Sequence, residues 1–256
     1  MILPPLYLNG FPKSGLHMAD LMVGELYKPF MTKNWLGTNA WTNVKLNMDK
    51  LSVLSLVKPG QYIKGHSGHS KELETMLTGL GFCVVLIYRD LRDVVVSQAY
   101  HILSDDENLK HPARELYPDN LQEVMKLVIT GIYEYDGIFA RWESFEPWLS
   151  KPWVFPIKYR DLRLQTNRVA RDFLHYLVSM EMLQTGRREM QMNRIAVNQL
   201  IYDMVERTKH KSVTFRRGKP GQWHYEFTPE IRKLFKEYDK TDALIRLGFV
   251  KNRNWN

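Results

Sequence analysis

A single cysteine, Cys83, stands in a chain of 256 residues, inside an apolar run. With no second cysteine to pair with, an internal disulfide is excluded, which fits a reducing compartment. Long hydrophobic runs are missing too: none approaches the roughly 20 residues that a membrane-spanning helix needs. No signal-type segment precedes the first apolar strand, which starts almost at Met1. The sequence therefore predicts a soluble, cytoplasmic protein without an N-terminal accessory domain. Internal repeats and low-complexity linkers are absent, so one domain over residues 1–256 is expected. Acidic side chains are outnumbered, 28 against 36 Lys and Arg, and the net charge of +8 favours anionic partners. A nucleotide, a sulfated or phosphorylated substrate, nucleic acid and an anionic membrane surface all meet that condition.

What is present is organised around Leu6–Leu21, LYLNGFPKSGLHMADL. Tyr7 and Leu8 close a short apolar run that reads as a strand. Asn9–Gly15 supplies turn formers and one lysine, Lys13. Leu16, Ala19, Leu21, Met22 and Leu26 then follow helical spacing. A strand, a glycine-containing loop and a helix N-terminus gather backbone N–H groups, the positive end of a helix dipole and the Lys13 charge at one place. Phosphate or sulfate suits such a place. The same pattern also occurs as plain α/β architecture. The order GxxxxGK[ST] of nucleoside-triphosphate loops is absent, as is an evident magnesium-binding carboxylate, which disfavours a kinase or ATPase.

Further along, Gln61–Lys64 reads as a short strand leading into Gly65–His66–Ser67–Gly68–His69–Ser70. A helix follows over Lys71–Leu80, with Ser70 as its N-cap. Phe82–Tyr88 (FCVVLIY) is a continuous apolar run of the kind found in a central strand buried on both faces of a parallel sheet. Helices are predicted over Asp93–Leu103, Leu121–Trp148, Val169–Val178 and Thr228–Leu247, the last capped by Thr228 with Pro229 at its first position. A strand is predicted over Trp153–Tyr159 and a short helix around Met48–Leu56. Residues 104–120 read as a mobile surface loop, and 180–214 have no clear assignment. Alternating strands and helices imply a parallel sheet with helices on both faces. Ligands of such sheets collect at the carboxyl ends of the strands. Lys13, His66 and Arg89 all follow predicted strands, which points to a shared site.

Two more stretches carry chemistry. In Tyr88–Ser97, YRDLRDVVVS, Arg89 leaves the central strand and Ser97 lies within the next helix. A guanidinium and a hydroxyl so placed can bind a phosphate, whereas Arg92 and Asp93 read more simply as solvated ion pairs capping the helix. In Phe215–Trp223, FRRGKPGQW, two arginines, a lysine and two glycines form a loop suited to lie over a phosphate, or a basic surface turn. FPKSG, RDLRDVVVS and RRGKPGQW resemble, in this order, the three signature regions of sulfotransferases that use 3′-phosphoadenosine 5′-phosphosulfate (PAPS). Val154–Leu162, VFPIKYRDL, is similar to a further segment of that family that includes Tyr159. The resemblance covers most of the chain.

The resemblance implies a three-layer α/β/α fold with a central, mostly parallel sheet of the P-loop-NTPase-like kind. It implies PAPS as sulfuryl donor, 3′,5′-adenosine bisphosphate (PAP) as product and no metal. Lys13, Ser14 and Gly15, with the backbone N–H groups of Leu16, His17 and Met18, would hold the 5′-phosphosulfate. Arg89 and Ser97 would bind the 3′-phosphate, together with Arg216, Arg217 and Gly218. Lys64–Gly65–His66 stands where the family places its Lys–x–His, so His66 would be the general base and Lys64 would contact sulfuryl oxygens. His69 is the rival base, and the two histidines without a third ligand make weak metal binders. The chain departs from the family at Leu16–His17–Met18, where TTW is usual, and at Gln222, where Asp is usual. Tyr202 and Thr208 are candidates near the adenine. The acceptor is expected to be a small molecule, glycan or lipid lined by 27–60, 104–120 and 180–214. Trp35, Trp41 and Tyr117 suit a flat apolar group. No nucleic-acid motif is present, and the usual C-terminal dimerisation motif is not recognisable. The competing class is a nucleotide- or polyanion-binding protein without transferase activity.

Overall fold

Six apolar residues, Cys83–Tyr88, form a strand in which every side chain is buried. Around it the computed structural model describes residues 3–30, 35–36, 51–104, 111–186, 194–209 and 218–255. Trp41, Met48, Arg216 and Arg217 lie outside the described residues. In chain order the elements are β1 (Leu6–Gly10), α1 (Leu16–Val23), β2 (Lys28–Pro29), β3 (Trp35–Leu36), β4 (Gln61–Gly65), α2 (Lys71–Gly79), β5 (Cys83–Tyr88) and α3 (Leu91–Ile102). There follow α4 (Pro112–Leu116), α5 (Leu121–Thr130), β6 (Gly131–Ile132), β7 (Tyr135–Asp136), α6 (Ile138–Phe145), β8 (Val154–Lys158), α7 (Tyr159–Leu164) and α8 (Thr166–Thr185). The chain closes with α9 (Arg194–Thr208), α10 (Trp223–Glu226), α11 (Pro229–Tyr238) and α12 (Ala243–Arg246). None of the described helices is long and apolar enough to cross a membrane.

The chain divides into two units. The first comprises 1–40, 44–88 and 145–218 and holds the main sheet, ordered β2-β4-β1-β5-β8 with β3 also on β4. Every pairing in it is parallel. Period-two alternation sends Leu6 and Leu8 of β1 to one face, where they meet Val85 and Ile87, Leu16 and Met22 of α1, Phe173 and Leu177 of α8, and Met204 of α9. Helices flank the sheet, as the alternating pattern required. In register, Asn9 stands opposite Gly65 and Gly10 opposite Ile87. The second unit, 41–43, 89–144 and 219–256, is mainly helical, with α5 packed on α3 and α11.

Several expected boundaries move, for local reasons. The helix expected over Leu121–Trp148 stops at Thr130, because Gly131 takes φ 89° and opens a hairpin. Gly137 closes that hairpin where a Cβ would sit 2.4 Å from the Ile129 carbonyl. The closing helix ends at Tyr238, and the Asp239 carboxylate caps a fresh turn by accepting from the Ala243 N–H at 2.7 Å. The helix expected over Val169–Val178 extends to Thr185 and ends on Gly186 at φ 69°. Within 180–214, Arg194–Thr208 is helical. Within 104–120, Pro112 begins a short helix that His111 caps by accepting from the Ala113 N–H at 3.2 Å. The caps read from sequence hold: Ser70 accepts from Leu73 N–H at 3.2 Å and Thr228 from Ile231 N–H at 3.3 Å.

Candidate active site

The loop after β1 turns on two residues with positive φ, Lys13 at 64° and Gly15 at 92°. Such backbone is costly for lysine and easy for glycine. No side chain caps α1, whose N-cap is Gly15, so the first-turn N–H groups are left to the loop and to whatever lies before it. Ser14 is fully buried, and its Oγ has no hydrogen-bond partner among the described residues. A buried hydroxyl donor, a lysine and a helix N-terminus together fit an anion. Leu16 is buried in the core, so its backbone alone can serve a ligand.

Tyr159, the first residue of α7, braces this loop. A Cβ at Gly15 would lie 2.3 Å from its Cδ2 and 2.5 Å from its Cε2, so only glycine admits the ring. Its hydroxyl donates to the Gly218 carbonyl at 3.1 Å. Tyr159 thereby joins the Lys13 loop to the end of the RRG stretch. Met18 is half-buried, and the Arg163 guanidinium lies 3.9 Å from its sulfur.

Beside the loop, β4 delivers Lys64, Gly65 and His66. Gly65 is required by crowding, since a Cβ would stand 2.1 Å from the Leu36 carbonyl and 2.3 Å from the Tyr7 hydroxyl. Lys64 Nζ pairs with Asp20 Oδ2 at 2.8 Å, and the Tyr62 hydroxyl donates to the other carboxylate oxygen at 2.5 Å. His66 Nδ1 is 2.5 Å from the Gly10 carbonyl oxygen. A carbonyl can only accept, so Nδ1 carries the proton and Nε2 is the basic nitrogen. Desolvation pushes the His66 pKa down to about 4, the His17 and Lys13 charges push the same way, and the Gly10 bond opposes them. His17 is also lowered, first by desolvation and then by Lys64 and Lys13, against Asp20. These influences on the two imidazoles place Lys13, His17, Asp20, Lys64 and His66 in one electrostatic cluster. His69 stands elsewhere: Nε2 meets Glu74 Oε2 at 2.8 Å, with the ring edge-on to Trp148 at 4.9 Å. Glu74 also holds Lys151.

In the second unit Arg89 follows β5 directly and is buried. Its guanidinium meets Asp93 Oδ2 at 3.3 Å and donates to the Lys219 carbonyl at 3.3 Å. Asp93 accepts from the N–H groups of Gly221 at 2.8 Å and Trp223 at 3.2 Å, so it ties the GKPGQW turn to the start of α3. Gln222 donates to the Lys219 carbonyl at 3.0 Å within that turn. Arg92 grips Asp90 through two bonds, at 2.9 and 2.6 Å, and lies 3.8 Å above the Trp223 ring and 4.6 Å from that of Trp255. The expectation of solvated pairs at Arg92 and Asp93 is therefore corrected. Both are ion-paired but only 3% and 2% exposed, because the tryptophans and the last turn cover them. Ser97 is half-buried on α3.

Asn9, expected to open the turn, instead belongs to β1, and the sequence pattern assigns no role to Asp20 or Tyr62. The signals were present: Asn9 is the one polar side chain within an apolar strand, and Asp20 lies about one helical turn into the helix that follows the Lys13 loop. Among the described residues, no group of three His, Cys, Asp or Glu side chains could hold a metal ion.

The sulfotransferase domain family matches residues 5–244, and the chain belongs to that family. Its fold is similar to that of mouse sulfotransferase SULT7A1 complexed with PAP, with TM-score 0.64 at 17% identity over 95% of this chain and 87% of that one. Retinol dehydratase in complex with androsterone and PAP gives TM-score 0.59 at 15% identity, covering 94% of this chain and 80% of that one. The same enzyme with retinol and PAP gives 0.57 at 15%, covering 95% and 83%. No curated protein sequence matches the chain.

Proposed function

We propose that this chain moves the sulfuryl group of PAPS onto a hydroxyl or amine of an acceptor, with His66 as general base. One observation carries the reading: the His66 imidazole is pinned through Nδ1 to Gly10, next to the loop that presents Lys13 and Ser14. A basic Nε2 takes the acceptor proton as the acceptor atom attacks sulfur and the bond from sulfur to the bridging oxygen breaks. Lys13 offsets the charge that builds on that oxygen, while Ser14 and the α1 N-terminus hold the 5′-phosphate. Lys64, which pairs with Asp20, serves the sulfuryl oxygens. Tyr159 shapes the loop at Gly15.

The 3′-phosphate falls to Arg89, Ser97, Arg216, Arg217 and Gly218, and the adenine to the neighbourhood of Met18. This part rests on the motifs' order in the chain. We read residues 1–256 as one sulfotransferase domain, since the family match runs through both units. Retinol and androsterone in the complexes of retinol dehydratase support a small apolar alcohol as acceptor. A cytoplasmic location is proposed on the one unpaired, buried Cys83.

Thermal denaturation with PAP against ATP–Mg²⁺ tests the nucleotide assignment. A ligand at 100 times its Kd stabilises by about 2.7 kcal/mol. PAP is expected to raise the Tm and ATP–Mg²⁺ is not. No shift with PAP, or a larger one with ATP–Mg²⁺, overturns the assignment. A PAP shift without turnover across labelled-donor assays of phenols, alcohols, amines and glycans returns the binding-only reading.

A further inference from the structure

Asn9 is fully buried in the sheet, and its amide engages both hydrogen-bonding groups of one distant residue. Nδ2 donates to the Ser67 carbonyl at 2.8 Å, and Oδ1 accepts from the Ser67 N–H at 3.0 Å. The Tyr7 hydroxyl donates to the same Oδ1 at 3.3 Å. The β1–β4 register ends at Asn9 opposite Gly65. Past that point a side chain continues what the backbone ladder began. His66 sits between the last paired residue and the clamped one, and its ring is held by Gly10, the neighbour of Asn9. Trp148 donates to the Ser67 carbonyl at 3.1 Å, and the Leu36 carbonyl accepts from the His66 N–H and the Ser67 hydroxyl, each at 3.3 Å. A buried amide costs free energy unless fully bonded, and an apolar residue would fill the same space without that cost. What the amide adds is geometry at the residue next to the imidazole.

We infer that Asn9 is a positioning residue for His66: by clamping Ser67 it holds the imidazole against Gly10 beside the Lys13 loop. The inference rests on His66 being the base. It is tested on the full chain with Asn9→Ala and Asn9→Asp, reading kcat, donor KM and the His66 titration by NMR. A displacement of about 1 Å in a reacting group can cost ~100-fold in rate. Asn9→Ala is expected to lower kcat by about that factor with donor KM nearly unchanged. The His66 titration should rise from about 4 toward its ordinary 6.5 as the loosened ring gains water. The groups facing the ring, namely Lys13 from the loop, His17 from α1 and the Gly10 carbonyl from β1, are untouched by the substitution, with Asp20 and Lys64 beyond them.

Asn9→Asp adds a readout that mere loss of stability would not give. Its carboxylate repels the Ser67 carbonyl, but once protonated it donates there and accepts from the Ser67 N–H, as the amide does. Relative to the parent enzyme, its kcat should recover as pH falls toward 5. An unmoved His66 titration in Asn9→Ala, or Asn9→Asp with a pH profile parallel to the parent, overturns the inference. Should Asn9→Ala not fold, the Asn9→Asp profile decides. Undiminished kcat in His66→Ala overturns the base assignment instead, and the titration of His66 in Asn9→Ala still reads the clamp independently of turnover.

Discussion

In the proposed role of general base, His66 would combine two properties that usually conflict: a basic nitrogen for proton transfer and a site that resists protonation. The Gly10 bond fixes the tautomer, while desolvation and the Lys13 and His17 charges hold the pKa near 4. The ring is therefore neutral throughout pH 5–8. With His66 as the proposed base, the acid limb of kcat/KM for the donor, which reports the free enzyme, is expected near pH 4 rather than 6.5 in a pH–rate profile. The same shift bears on stability. The unfolded chain takes up the proton at about 6.5 and the folded one only near 4, so this stabilisation is complete above pH 6.5 and lost between 6.5 and 4. Urea unfolding of the parent and His66→Ala across that window should converge as pH falls. His66→Ala itself is expected to lose ~10²–10⁴ in kcat in a donor-to-acceptor assay. At Gly15, φ of 92° and the Tyr159 ring at 2.3 Å from an added Cβ mean that Gly15→Ala must displace the loop. Weaker PAP binding by calorimetry checks this.

Elements hold these residues at their ends. β1 and β4 deliver Gly10 and His66 side by side because they are parallel neighbours in register. The start of α3, capped by Asp90, anchors the turn after Gly218 through Asp93. Asp93→Ala removes a buried carboxylate that serves Arg89 and two backbone N–H groups, and is expected to cost on the order of 3–5 kcal/mol by denaturant titration. Thr228→Ala removes an N-cap and should cost about 1 kcal/mol in the same measurement. Strands and caps were legible here because their signals are local: apolar alternation, Ser before a helix, Thr before Pro. The break at Gly131 was not, because the apolar spacing of 121–148 continues through the hairpin and only the backbone at Gly131 and Gly137 interrupts it.

For the whole molecule, the excess of basic residues and the three motifs in order point to an anionic nucleotide, and the family match over 5–244 agrees. Binding carried by charge should weaken with salt, so the PAP-induced rise in Tm is expected to shrink as ionic strength shortens the screening length from ~10 Å at 0.1 M to ~3 Å at 1 M. A salt-independent shift would place the affinity in uncharged contacts. By itself the sequence determined the strand–loop–helix that presents Lys13, the buried strand leading to Arg89, and the Lys–x–His after a strand. Each is written in contiguous residues whose chemistry is local. Only the tertiary structure decided that Asp20 takes Lys64, that Asn9 takes Ser67 and that His66 rather than His69 stands beside Lys13. Those partners lie 44 and 58 positions apart, and no local pattern specifies them. They meet because β1 and β4 pair in parallel, and a shift of one residue in the register of β4 would turn Lys64 to the opposite face of the sheet.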